Sequence, residues 1–165
     1  MSAIDRFSSA ATTAGAIVHV VDREATTDRL EELTDYPAVG VELAIEGVSL
    51  PDGVETAPDE VALREAKTGI TDSPMGIEPL GSVVVPSDER GTGPTSLFAE
   101  RQVAVVKRSD LVADVETAFS RLADRYRENG TDAVIVTGPS STGDMGELVT
   151  GVHGPAELHV VVIDE

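Results

Sequence analysis

The residues best suited to chemistry cluster near the end of the chain. His153 and His159 follow Asp144 and Glu147 within a short span, and imidazole both changes charge near neutral pH and ligates metals readily. Two imidazoles and two carboxylates would make a mixed nitrogen and oxygen metal set. No compact histidine spacing supports one, so no metal is assigned. His153 sits between glycine turns and reads as a polar contact for a ligand, with Asp144 as its orienting partner or as a helix cap. His159 opens an apolar run and can equally be a structural histidine. Just upstream, Gly138-Pro-Ser-Ser-Thr-Gly-Asp144 places the hydroxyls of Ser140, Ser141 and Thr142 ahead of an expected helix, whose free N–H groups favour an anion. No lysine follows, so this is not a P-loop. The Ser141 to Asp144 spacing also fits a helix cap, leaving capping alone and capping plus ligand binding both open.

A second glycine and hydroxyl pattern runs through Gly69, Thr71, Gly81 and Ser82. Glycine there permits close backbone approach to a ligand, while tight turns between strands explain the same residues. No Ser, His and carboxylate set has the spacing of a hydrolase. His19, in an apolar strand, has no neighbouring ligand-type residue in sequence and reads as a core or edge histidine. Arg90 lies in a polar loop and reads as a surface arginine that could instead clamp a carboxylate.

These groups need a scaffold. Ala133–Thr137 and Leu158–Ile163 are short, β-branched and without polar alternation, as in strands buried on both faces of a parallel sheet. Both are expected at its centre. Further strands are predicted at Gly15–Val21, Ala38–Glu42 and Gln102–Val106, with helices over Ser2–Thr13, Thr26–Leu33 and Asp59–Lys67. The strongest helical pattern runs from Leu111 to Arg127, and strand, helix and strand over 102–137 predict a right-handed βαβ unit. The loops after adjacent parallel strands then share an edge, so Ser140, Asp144, His153 and His159 are expected to face Thr71 and Ser82 across a crevice there. Backbone N–H groups at Gly69, Gly81, Gly138 and Gly154 would line that crevice and suit a small anionic ligand such as a carboxylate.

The chain has 165 residues and 41% hydrophobic content, which suits one domain over 1–165. No apolar run approaches a membrane span, and the first residues lack signal-peptide character, so a cytoplasmic protein is expected. Thirty acidic residues against twelve basic ones give a net charge of −18, and only Lys67 and Lys107 are lysines. The charge is spread along the chain, which resembles the surfaces of halophilic proteins whose self-repulsion concentrated salt screens. It excludes the basic face that nucleic acid requires. With no cysteine and no GxGxxG loop, the chain offers neither thiolates for an iron–sulfur cluster nor a dinucleotide fingerprint, and no cofactor is expected in it.

Gly138–Asp144, then Gly151-Val-His-Gly-Pro155 and Glu157–Asp164, closely resemble the C-terminal signature of LUD-domain proteins, the LutC/YkgG family of lactate-utilisation proteins. Gly69-Ile-Thr71, Gly76-Ile77 and Gly81-Ser82 resemble the family's other glycine and hydroxyl pattern. The resemblance runs from about Ala66 to the end. It implies a three-layer α/β fold with a mostly parallel sheet, like the NagB/RpiA/CoA-transferase superfamily, and a part in oxidising L-lactate to pyruvate beside iron–sulfur proteins. Where the family commonly has Ala, an acidic residue and Thr or Ser before the glycine matched by Gly81, this chain has Glu78-Pro79-Leu80. On this reading the chain is an accessory or substrate-binding subunit. The alternative is a stand-alone enzyme or sensor of that fold, acting on a phosphorylated sugar, an acyl-CoA or a small carboxylate.

Overall fold

The computed structural model describes residues 1–144, 147–151 and 153–165. In chain order the first half holds α1 (Ala3–Thr13), β1 (Ile17–Val21), α2 (Arg23–Leu33), β2 (Ala38–Gly40), β3 (Glu55–Thr56), α3 (Glu60–Glu65), β4 (Thr68–Asp72), β5 (Gly76–Ile77) and β6 (Ser82–Pro86). The second half holds α4 (Thr92–Phe98), β7 (Arg101–Lys107), β8 (Leu111–Val112), α5 (Val115–Asn129), β9 (Ala133–Val136), β10 (Ser141–Asp144), β11 (Glu147–Thr150) and β12 (Glu157–Ile163). Among the described residues, no helix is long and apolar enough to cross a membrane.

The expected parallel sheet is present, with six strands in the order β1-β12-β7-β4-β2-β3, every neighbouring pair parallel. Its central strands β7 and β12 are valine runs buried on both faces. Side chains alternate between those faces. Ala104, Val106, Leu158, Val160 and Val162 pack toward α1, which a Ser2–Asp5 capping box starts and which buries Ile4, Phe7 and Ala11. Val103, Val105, Val161 and Ile163 pack on the opposite face against Leu30 and Leu33 of α2. Burying a side chain such as Phe7 stabilises by about 1.5–3 kcal/mol. The alternation also decides where the polar residues go. Gln102 is in register with Leu158 and Gly69, and so faces the α1 side, whereas His159 is in register with Val103 and faces the α2 side.

Three expectations are corrected. β9 is not beside β12 at the centre: it is the edge strand of a separate sheet ordered β8-β5-β6-β9, antiparallel to β6. Nor do β7, α5 and β9 form a βαβ unit. The chain leaves the main sheet after Lys107 through a 3-10 turn at Arg108–Asp110 and first makes β8. α5 then starts on Asp114, whose carboxylate accepts from the Thr117 N–H at 2.6 Å, and packs through Val115, Ala118 and Leu122 on Met75, Ile77 and Val84 of the small sheet. Only Ala118 of α5 is fully buried, and Phe119 and Tyr126 are exposed. Finally, no helix follows Ser140. β10 and β11 form an antiparallel hairpin there, and its hydroxyl-rich first strand is not capping a helix.

Candidate functional site

The long connection between β9 and β12 is closed at its base by backbone. The Ser140 N–H donates to the Pro155 carbonyl at 2.8 Å, and the Gly151 N–H donates to the Ser140 carbonyl at 2.9 Å. These bonds bring Gly138, Ser140, His153 and Gly154 to the mouth of a cavity of about 470 Å³. One wall is α4 with Leu97 and Phe98, the other is β9 with Val134 and Val136, and the floor is Val85, Leu158 and Gln102. The cavity is therefore mostly apolar with a few polar groups, the usual make-up of a small-molecule site. Among the described residues, no lysine, arginine, aspartate or glutamate lines it. Ser140's N–H is already committed to Pro155, so it is not free to hold an anion.

Gln102 is the residue at this site that sequence reading passes over, since it reads only as the first residue of an apolar strand. It is 1% exposed, and among the described residues no group accepts from its Nε2. A buried amide without a partner is uncommon. Thr71 Oγ1, two residues along β4 from Gln102's register partner Gly69, is likewise buried and unpartnered.

The other expected site residues divide differently. Thr71 and Ser82 are fully buried and do not line the cavity. Ser82 touches its rim through Thr137, hydroxyl to hydroxyl at 2.6 Å. Ser141 is exposed on the hairpin. The side chains of Thr142, Asp144 and Glu147 lie outside the described residues, so the expectations that Asp144 orients His153 and that either carboxylate meets a metal fall there too. Three of the four glycines expected to present N–H groups to a ligand instead admit helix backbone. A Cβ at Gly69 would stand 2.2 Å from the Thr95 carbonyl oxygen of α4. At Gly81 (φ +62°) it would meet the Ala11 nitrogen at 2.1 Å, and at Gly138 (φ +67°) the Ala14 carbonyl oxygen at 2.1 Å, so α1 rests on both. Gly138 and Gly154 both border the cavity, and at Gly154 a Cβ would press on Ser140 and Leu97.

His159 lies on the far side of the sheet, and His19 is its partner rather than a lone core histidine. The two rings stack with centroids 5.3 Å apart and planes 9° from parallel, His19 Nε2 lying 3.0 Å from His159 Nδ1. Glu157 reaches His159 Nε2 at 3.3 Å, Arg29 lies 3.1 Å from His19 Nδ1, and Arg101 binds Glu157 at 2.6 Å. Burial pushes both imidazoles below their ordinary value; for His19 the neighbouring His159 and Arg29 add to it, and for His159 the Glu157 carboxylate opposes it. Glu157 itself is held below the usual carboxylate range by its bond to Arg101, against a smaller effect of burial. Since His153 and His159 occupy opposite faces of the sheet, they do not share a metal. Among the described residues, no group of three or more His, Asp or Glu side chains is arranged so that it could hold a metal ion.

Two charged residues singled out in the sequence have structural partners. Arg90 pairs with Asp72 at 3.0 Å and Asp88 at 2.9 Å, which raise its pKa against the effect of burial. Glu78 is buried and pairs with Arg6 of α1 at 2.8 Å, clamping that helix rather than facing the cavity.

A family model described as the LUD domain matches residues 59–163. A lactate utilization protein C from Oceanobacillus iheyensis is 26% identical over 110 residues, 64% of this chain and 47% of that protein. Lactate utilization protein C 1 from Bacillus mycoides is 32% identical over 106 residues, 62% of this chain and 45% of that protein. The counterpart from Deinococcus radiodurans is 28% identical over 156 residues, 90% of this chain and 73% of that protein. The chain thus spans about half the length of the first two relatives. The crystal structure of a DUF162 family protein from Deinococcus radiodurans superposes with a TM-score of 0.76 at 19% identity, covering 98% of this chain and 96% of that one, so the two share a fold. With the family model spanning both the glycine-rich β4–β6 region and the whole β9–β12 connection, the chain belongs to the LUD domain family.

Proposed function

We propose that this protein is an accessory or substrate-binding component of a system that oxidises L-lactate to pyruvate, with separate iron–sulfur proteins as its partners. The observation that carries this is the run of relatives named lactate utilization protein C, beside a LUD domain model that spans the segment closing the cavity mouth. The sequence holds no cysteine and so offers no thiolate ligand for a cluster, which is consistent with partners that carry one. At the mouth, the Ser140 hydroxyl and the His153 imidazole are the groups offered to a small carboxylate such as lactate, as hydrogen-bonding rather than catalytic residues. The stand-alone enzyme or sensor reading, with a phosphorylated sugar or acyl-CoA as ligand, finds less support, because recognising phosphates calls for cationic side chains and none of the described lining residues is one. The test is recovery of the tagged protein from its native cells in molar KCl, together with growth on lactate after its gene is deleted. Co-recovery of iron–sulfur proteins and loss of growth on lactate are expected. A homogeneous lone protein and unchanged growth would discard the proposal.

A further inference from the structure

Ligands of open α/β sheets sit outside the carboxyl ends of the strands, where neighbouring strands send their following chain in opposite directions. In the main sheet that point lies between β2 and β4. From β2 the chain runs outward to β3, and from β4 it returns toward β7 on the other side. The cavity bordered by Ser140 and His153 is not there, because Gln102 and Leu158 put it at the amino ends of β7 and β12. A separate cavity of about 210 Å³ is, bounded by Ala44 after β2, Asp72 and Ser73 at the end of β4, and Lys107 at the end of β7. Arg90, Lys107 and Arg125, three of the twelve basic residues in a chain of net charge −18, border it with Asp72 and Asp110. Among its described lining residues Arg125 alone comes from α5, so a side chain rather than the helix itself reaches the cavity.

Part of this lining is already committed. Arg90 Nη1 lies 3.0 Å from Asp72 Oδ1 and donates to the Glu42 carbonyl at 2.8 Å, and its Nη2 meets Asp88 at 2.9 Å. The other oxygen of Asp72 accepts from the Ala44 N–H at 2.8 Å, and the Ser73 hydroxyl lies 2.8 Å from the Met75 and Val84 carbonyls. Lys107 and Arg125, both half-buried, are answered less well. Lys107 Nζ meets Asp110 only at 3.5 Å, and Arg125 makes no ion pair among the described residues, whereas Arg127 on the same helix pairs with Asp124 at 2.9 Å. With thirty acidic residues available to twelve basic ones, two such cations beside one cavity leave room for an anion from outside. We infer that this cavity binds a small dianion between Lys107 and Arg125, either a tetrahedral oxyanion or a short dicarboxylate. Two incompletely answered cations suit two charges better than one, and charge-assisted bonds to both offset the negative field of the chain. The volume, about seven waters at their liquid share of about 30 Å³ each, suits a ligand of a few heavy atoms. The site is at the opposite edge of the sheet from Ser140 and His153 and rests on no part of the lactate reading.

The experiment titrates the purified full chain by calorimetry with sulfate and with malonate, KCl holding the ionic strength constant. Saturable binding of at least one of them, one per chain, is expected, and the tighter of the two tells a tetrahedral ligand from a dicarboxylate. An equal concentration of L-lactate, with a single charge, is expected not to displace it. Arg125→Gln is expected to weaken the dianion about tenfold. Arg127→Gln makes the same charge change on the same helix but borders a different groove, and is expected to weaken it less than about twofold. Absence of saturable binding of both dianions would overturn the inference, as would unchanged affinity in Arg125→Gln. Equal weakening by Arg125→Gln and Arg127→Gln would overturn it too, since the long-range field of the chain would then account for the binding. If Arg125→Gln fails to fold, Lys107→Gln, for which the same loss is expected, decides.

Discussion

The amino ends of β7 and β12 carry polar side chains on both faces of one sheet, and the two faces treat them in opposite ways. On the α2 side, His159 is enclosed by His19, Glu157 and, through Glu157, Arg101, so every polar atom that burial removes from water meets a partner. On the α1 side, Gln102 is buried to a greater degree and its Nε2 meets none among the described residues. Burial of a polar group is thus not by itself a sign of function. A fully answered set is part of the fold, while a buried donor left without a partner is the exception that calls for an explanation.

The glycines that hold α1 and α4 against the sheets set the largest expected effect, because helix backbone occupies the space a Cβ would need. Gly81→Val and Gly138→Val each combine a Cβ placed about 2 Å from helix backbone with a left-handed φ, and a loss of about 3 kcal/mol or more is expected. Urea denaturation measures it. For Gly81→Val, which lies away from the cavity, ligand affinity in whatever fraction remains folded should be unaltered, and a selective affinity loss with normal stability would return Gly81 to the binding site.

Next in size is the contrast between the two polar residues themselves. His159→Leu strands His19 and Glu157 and is expected to cost about 1–3 kcal/mol. Gln102→Leu removes an orphan amide from an apolar setting and is expected to be neutral or stabilising by up to about 1 kcal/mol. Thermal melts of the two variants side by side would erase the distinction if both lost stability equally.

The smallest effect is a pH dependence confined to the histidine face. His19 and His159 have folded pKa values below the ordinary 6.5, so the unfolded chain binds protons there more readily than the native one. Their contribution is complete above about pH 6.5 and declines as the pH falls below it. Glu157 and Asp88, also lowered, lose theirs at more acid pH, below the ordinary carboxylate values of 4.5 and 3.8. Replacing both histidines by glutamine should flatten the stability curve between about pH 6.5 and 5 and leave the acid limb in place, as pH-resolved melts would show.

The parallel core was legible because β1, β7 and β12 combine β-branched composition with flanking turns, and α1 shows its apolar spacing behind Ser2. The grouping of Ser140, His153 and Gly154 was legible for a local reason: they belong to one connection whose ends return to the same strand region. What escaped was the choice of sheet and of face. Val134, Ile135 and Val136 have the same composition whether a strand is central or at an edge, and only the unseen departure of the chain at Lys107 decides it. Likewise a shift of one position separates Leu158 from His159, and that single step put the histidine on the wrong side of the sheet. Hydroxyl-rich Ser141 and Thr142 serve a hairpin as readily as a helix start, and Gln102 gave no periodic signal at all.

The open side of β9 has a consequence for how copies of this protein meet. Its outer N–H and C=O groups are unpaired among the described residues, and its exposed Val134 is flanked by no lysine or proline of the kind that usually blunts a free strand. Long-range repulsion between chains of net charge −18 is then what keeps one such edge from templating another. Salt acts on that guard and on the fold in opposite senses: screening relieves repulsion within each molecule and also lets two edges approach, so colloidal stability is expected to peak at a lower ionic strength than folding stability does.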